Sequence, residues 1–279
     1  MNKLVPCLAA LLFVAQPATV RAQDEIRTLE ECFSALEGSD GDRRADAAQF
    51  LTDFFTETQV TLSRALQDPK RREAAREHLR ALLRGLVPML ADGLSDESRS
   101  ARRKAARALA KLGKDAAPAV PAMARALSDK SSTVRKHCIR ALGRCGEAAA
   151  PAVPALAKAL SDERSSVRAE AAASLGLLGP VAAPAVPALA KAFASRNEDV
   201  RRAVTEALGR IGSKARPATP TLTKALRDEA VAVRLAAARA LGAVGATSPE
   251  AIEELRRRAK GDPSAAVRKA CEQALLKLS

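Results

Sequence analysis

The 279-residue sequence contains no tryptophan, no tyrosine, six phenylalanines and two histidines. A chain this poor in aromatics lacks platforms on which nucleic-acid bases stack, so any hold on nucleic acid would be electrostatic and blind to base sequence. The two histidines, His78 and His137, do not stand at metal-ligand spacing, and His137, whose slot holds Lys104 and Glu170 in other repeats, is read as a solvated or ridge residue. No Gly-rich phosphate loop opens a helix after a strand, because the Leu-Gly-x-x-Gly runs close helical patterns. No alternating strand pattern occurs either. What is abundant is small aliphatic residues within an apolar content of 47%, which predicts alanine-rich helix packing around a sizeable core.

Residues 1–22 read as a signal peptide: Lys3 supplies a basic start, Leu4 to Val14 an apolar stretch, and Val20-Arg21-Ala22 a small-residue cleavage pattern. Retention of this segment as an anchor is the alternative. Past it, no run approaches the roughly 20 apolar residues of a membrane-spanning helix, so the expectation is an exported chain, periplasmic or extracellular. Charge is uneven. Residues 23–66 hold ten acids against four bases, whereas the remainder is strongly basic. An acidic cap on a basic body points to acidic partners, to self-association or to solubility. Cys138, Cys145 and Cys271 occupy slots that hold Ala, Val, Leu or Ile in other repeats, so they are expected as free buried thiols. Cys32 has no assigned role.

The organising signal is internal repetition. Pro118, Pro151, Pro184 and Pro217 recur every 33 residues, as do Val134-Arg135, Val167-Arg168, Val200-Arg201 and Val233-Arg234. Each unit reads as two helices. Helix A opens on a proline pair such as Pro151 and Pro154, in the first turn, where missing N–H groups are tolerated, and ends at Ser161-Asp162. Helix B begins near Ser165 and ends at Gly176 or Gly179, glycines suited to a left-handed exit. Counting helix B from its Val slot as zero, positions 0, +4, +8 and +11 are apolar in every repeat, as at Val167, Ala171, Leu175 and Leu178. The helix pairs therefore bury one seam and stack on their neighbours.

Pro121, Asp129, Val134 and Arg135 carry the pattern of Pro, then Asp eight residues on, then Val-Arg, and it recurs at Pro154, Asp162, Val167, Arg168 and at Pro220, Asp228, Val233, Arg234. These residues resemble the HEAT repeat family in its short bacterial form, also seen in bilin-lyase-like proteins. The resemblance covers roughly residues 86–279 as about six repeats; Ser195 departs from it at an Asp slot and Glu254 at a Pro slot. It implies an all-α fold, a right-handed α-solenoid of stacked antiparallel helix pairs. Residues 23–85 are then a helical N-terminal cap with a degenerate repeat, its core supplied by Phe33, Phe50, Phe54 and Phe55.

The resemblance also implies an inter-repeat ladder, in which the aspartate of one repeat bonds backbone and the arginine of its neighbour. Asp96, Arg102, Asp129, Arg135, Asp162 and Arg168 are its first members here, followed by Arg201, Asp228, Arg234, Asp262 and Arg268. Asp162, just ahead of helix B, is also placed to cap that helix. The paired His-Glu motifs of a helical relative, deoxyhypusine hydroxylase, are not matched, since Glu77-His78 is single and reversed.

Positions +2, +6 and +10 of helix B point about 205° away from the apolar seam, into solvent. Their bases are Arg103, Arg107 and Lys111; Lys136, Arg140 and Arg144; Arg202 and Arg210; Arg239; and Lys269 and Lys277, with Glu206 the one acid. Ala169, Ala173 and Leu177 interrupt the ridge with an apolar patch. In similar solenoids helix B lines the concave surface, which would make the stripe a basic groove. The expected function is a non-catalytic protein-binding scaffold that grips an acidic partner, with no cofactor and no metal. Electrostatic binding of a polyanion, nucleic acid or polysaccharide, is one alternative, and a bilin-lyase-like enzyme subunit is another.

Overall fold

The computed structural model describes Ala35, scattered positions from Asp40 to Asp53, Leu83 and residues 85–278. The leader, most of the cap, Cys32, Phe33, Phe54, Phe55 and His78 lie outside the described residues. The chain forms two compact units, Met1–Ala122 and Met123–Ser279. Every described element is helical.

In the first unit, helical residues 85–93 are followed by α1 (Arg99–Leu112). Ser98 caps α1, its Oγ accepting from the Ala101 N–H at 3.4 Å. Leu86, Val87 and Leu90 are buried, as are Ala101, Ala105 and Leu109 on the inner face of α1. Helix α2 (Val120–Ala126) spans the boundary of the units.

The second unit repeats one motif. Short helices α4 (Val153–Ala159), α6 (Val186–Ala192) and α8 (Thr219–Ala225) are the first members of each pair. The longer α3 (Ser132–Arg144), α5 (Ser165–Leu178), α7 (Glu198–Ile211) and α9 (Val231–Val244) are the second members. A final pair, α10 (Pro249–Gly261) and α11 (Ala265–Leu278), closes the described chain. The long helices α3, α5, α7, α9 and α11 pack side by side in chain order, and each short helix lies on its partner.

Periodicity translates directly into burial. Val134, Val167, Val200, Val233 and Val267 in slot 0 are all buried, as are Cys138, Ala171, Val204, Ala237 and Cys271 in slot +4. Burying such apolar surface contributes about 25 cal/mol per Å², so small residues sustain the core only because every repeat supplies the same seam. Cys138, Cys145 and Cys271 are free, buried thiols.

Three expectations need correction. The first proline of each pair is not in helix A: Pro151, Pro184 and Pro217 sit inside 3-10 turns (Gly146–Ala152, Gly179–Ala185, Gly212–Ala218), and only Pro154, Pro187 and Pro220 open the α-helices. Gly176 is not a helix terminus either. Gly179 alone adopts the positive φ of 58°, whereas a Cβ on Gly176, inside α5, would stand 2.9 Å from Ala207 Cα. The third concerns apolar length: Ser165–Ala192 has, by length and composition only, the hydropathy of a membrane-crossing helix. Its alanines, valines and leucines, many of them buried, belong instead to α5, a 3-10 turn and α6, parts of the helix stack.

Candidate partner-binding ridge and its supporting ladder

The close approach of the long helices positions everything else. Gly143, Gly176, Gly209 and Gly242 share slot +9, and a Cβ at each would meet Ser174, Ala207, Ala240 and Ala274, all in slot +7 of the next helix, at 2.7 to 3.2 Å. Glycine is required there because the helices approach within the space that a methyl group needs. The small-residue pairing sets the register, and ridge side chains of adjacent repeats are brought alongside one another.

The ladder lies at the opposite, N-terminal end of the long helices. Arg135 donates through Nη1 to the Asp129 carbonyl at 2.8 Å and reaches Asp162 of the next repeat with Nε and Nη2, each at 2.8 Å. Arg201 makes the same fork with Asp228 at 2.7 and 3.0 Å, and Arg234 with Asp262 at 2.8 and 3.2 Å. At Arg168 the rung is weaker, because its Nη2 meets Ser195 Oγ at 3.5 Å. Arg268 donates to the Asp262 carbonyl at 2.7 Å, and in the first unit Arg102 donates to the Asp96 carbonyl at 2.9 Å.

The aspartates do not cap the first helical turn as expected. Asp162 Oδ1 accepts from the Arg164 N–H at 2.9 Å, and Asp96, Asp129, Asp228 and Asp262 likewise accept from the residue two positions on. Each carboxylate thus closes the turn before the helix, a local bond that an aspartate makes readily two residues downstream. Burial alone would raise the Asp162 carboxyl, but hydrogen bonds from Arg135 and the Arg164 N–H, with the charges of Arg135 and Arg168, hold it below the ordinary range.

Two supporting interactions have no counterpart in the repeat pattern. Glu254, which stands where a proline is expected, is buried and binds Arg227, Arg257 and Arg258 at 3.1, 2.6 and 3.0 Å. Arg216 donates from Nε to the Val244 carbonyl at 3.1 Å, placing a cation at the C-terminus of α9, where the helix dipole favours it. In sequence, only the departure from pattern at 254 marks either of them.

The ridge faces outward as its slots require. Arg103, Arg107 and Lys111 are exposed on α1 in the first unit. In the second unit, Arg144, Arg210, Arg239, Lys269 and Lys277 are exposed, and Lys136, Arg140 and Arg202 are half-buried. Ala173 and Leu177 are exposed, Leu177 to 56%, and Ala169 is half-buried.

Its charge is less one-sided than slot counting predicts. Arg140 forks onto Glu170 of the next helix at 2.9 and 2.7 Å, and Arg202 meets Asp199 and Glu206 at 3.3 and 3.2 Å. In the first unit, Asp53 pairs with Lys111 at 2.9 Å and Asp46 with Lys104. Glu170, Asp199 and Asp53, which lie outside the stripe, thus join Glu206 in neutralising part of it, and a count along one helix face misses those three. Lys136, Arg210, Arg239, Lys269 and Lys277 have no acidic partner among the described residues.

Between α7 and α9 the ridge encloses a groove of about 430 Å³. Ala232, Leu235, Ala236, Ala240 and Ala243 form its apolar wall, and Arg202, Glu206, Arg210 and Arg239 carry its charges. Among the described residues no cluster of His, Cys, Asp and Glu is arranged to hold a metal. Burial pushes the Cys145 and Cys271 thiols up to about 11, and Cys138 higher still.

The model of HEAT repeats matches residues 87–176, 120–209 and 186–276. No curated protein matches the chain. Among solved structures, an engineered protein is similar with a TM-score of 0.59 and 23% identity, over 89% of this chain and 78% of that one. A designed armadillo repeat protein in complex with the peptide (KR)4 is similar at 0.51 and 18% identity, over 78% and 98%. The CpcE–CpcF complex of phycocyanin lyase from Nostoc sp. matches at 0.47 and 21%, over 95% and 100%, too loosely to carry an argument. At these identities the likeness is one of fold. With the repeat model covering most of its length, the chain belongs to the HEAT repeat family and is an α-solenoid, a fold used for protein binding.

Proposed function

We propose that this protein is an exported, non-catalytic scaffold that binds an acidic protein partner through the ridge of its long helices. The supporting observation is the set of outward-facing cations, Lys136, Arg210, Arg239, Lys269 and Lys277, that no described carboxylate neutralises. Elsewhere the chain pairs its charges closely, as at Arg135, Arg201 and Arg234. Cations left without partners on an apolar-floored face raise the local concentration of acidic segments and speed their encounter. A non-catalytic role is favoured because the described thiols are buried and held protonated. Export rests on the leader pattern of residues 1–22, and a mature N-terminus near Gln23, found by mass spectrometry, would support it.

The ridge is tested by reversing Lys136, Lys269 and Lys277 to Glu together and measuring capture of acidic envelope proteins across a salt series. Weaker capture with a flatter salt dependence is expected. Capture unchanged in strength and salt response would refute the ridge as the binding face.

A further inference from the structure

We infer that the groove between α7 and α9 is a discrete docking site for a short acidic segment that carries a bulky apolar side chain. The inference rests on the scaffold reading and names where, and for what chemistry, the ridge is specific.

The helices meet most tightly at Gly209 and Ala240, where a Cβ on the glycine would lie 3.0 Å from both Ala240 Cα and Cβ. Arg210 follows Gly209 directly, and Arg239 directly precedes Ala240. The two guanidinium groups are therefore launched from either side of this close helix contact. Both line the groove, both are exposed, and neither has an acidic partner among the described residues. A planar fork of donors suits a carboxylate.

The rest of the groove has different chemistry. Ala232, Leu235 and Ala236 line the part nearer the start of α9. Leu235 occupies slot +2, where four of the six repeats place a lysine or arginine, so the stripe here exchanges charge for an apolar surface. Arg202, on the same stretch of α7, is already held by Asp199 and Glu206. Glu206 faces the groove as well and repels a second anionic group. A continuous polyanion thus meets a carboxylate and an alkyl wall one helical turn from the two arginines. A peptide with a carboxylate at one point and an aliphatic or aromatic side chain beside it satisfies both halves. Ala232 to Ala243 spans roughly 16 Å along a helix axis, the reach of about five residues of extended chain.

The site can be probed on the full chain by fluorescence anisotropy with a labelled peptide of alternating glutamate and leucine. Polyglutamate, a leucine–glutamine peptide and oligodeoxythymidine, each of equal length, serve as comparisons. The glutamate–leucine peptide is expected to bind about tenfold or more tightly than any of the three, and Arg210→Glu with Arg239→Glu to weaken it by a similar factor. Ala232→Glu, an exposed change in the first turn of α9 that favours the helix, should weaken binding without lowering the melting temperature. Equal binding by the double variant, or oligodeoxythymidine or polyglutamate binding as tightly as the mixed peptide, would overturn the site. If the Lys136, Lys269 and Lys277 reversal abolishes partner capture while the groove variants bind the peptide normally, the scaffold reading stands and this site falls. Loss of neither capture nor peptide binding removes both.

Discussion

Ser195 interrupts the ladder, and replacing it tests how the ladder works. The three complete rungs of the second unit hold both guanidinium–carboxylate contacts between 2.7 and 3.2 Å. The rung at Ser195 is a single contact of 3.5 Å from Arg168. Arg168 is already in place for a better partner, because its Nη1 donates to the Asp162 and Glu163 carbonyls at 2.8 and 3.1 Å. Ser195→Asp therefore adds a carboxylate to an oriented fork, and the Asn197 N–H, 3.3 Å from Ser195 Oγ, gains a charged acceptor. Charge-assisted hydrogen bonds contribute about 1.5–3 kcal/mol each before the carboxylate's desolvation is subtracted. That cost is several kcal/mol for a well-buried ion, so a net gain of about 1 kcal/mol is expected. Thermal unfolding at neutral pH should show a melting temperature raised by about 2–4 °C for a chain of this size. In an Arg168→Leu background the same change should be destabilising, because the new carboxylate is left without its cation. An unchanged or lower melting temperature with Arg168 present, or an equal gain without it, would refute the ladder as a source of stability.

Three further outcomes follow from the geometry. Gly176→Ala should destabilise by about 1–3 kcal/mol, since its Cβ would press on the Ala207 backbone, whereas Gly261→Ala, with nothing within 4 Å, should be neutral or stabilising; chemical denaturation separates the two. Arginine contacts hold Asp162 and Asp262 below their ordinary value of 3.8 and Glu254 below 4.5, against the opposing effect of burial. Their contribution is complete above those ordinary values and lost as pH falls through the depressed ones, so stability measured from pH 6 downward should hold and then decline below about pH 4; Asp262→Asn should lower the neutral-pH plateau and shrink the acid-dependent loss. Cys138, Cys145 and Cys271 should resist a thiol reagent at pH 8 in the folded protein and react once it is unfolded, and rapid labelling of the folded chain at any of the three would contradict their burial.

Much of the fold was readable because a helix writes its buried face into the chain at a fixed period. Val167, Ala171, Leu175 and Leu178 are buried where counting along one helix places them, and the cysteine slots follow the same logic. The repeat spacing also brought the arginines and aspartates of the ladder into view, though not their detailed bonding. Asp162 closes a turn two residues downstream because the N–H of Arg164 is the one within reach, a distinction of a single residue that spacing does not resolve. The ridge was legible as a direction and less so as a charge. Arg140 looks free along its own helix and is paired by Glu170, thirty residues away in the chain. Glu254 was visible only as a departure, and its role depends on three arginines, two on its own helix and one from the turn after α8, converging on one buried carboxylate.

The amino-acid sequence by itself determined the helix pairs, their period, their apolar seam and the outward face of the basic stripe, because each follows from contacts within about four residues. Tertiary structure alone decided which cations remain unpaired, how closely the long helices approach, and where the groove between α7 and α9 opens. Those features depend on residues about thirty positions apart, placed in register by the fit of Gly209 against Ala240 and its equivalents, a distance that no periodicity along one helix encodes.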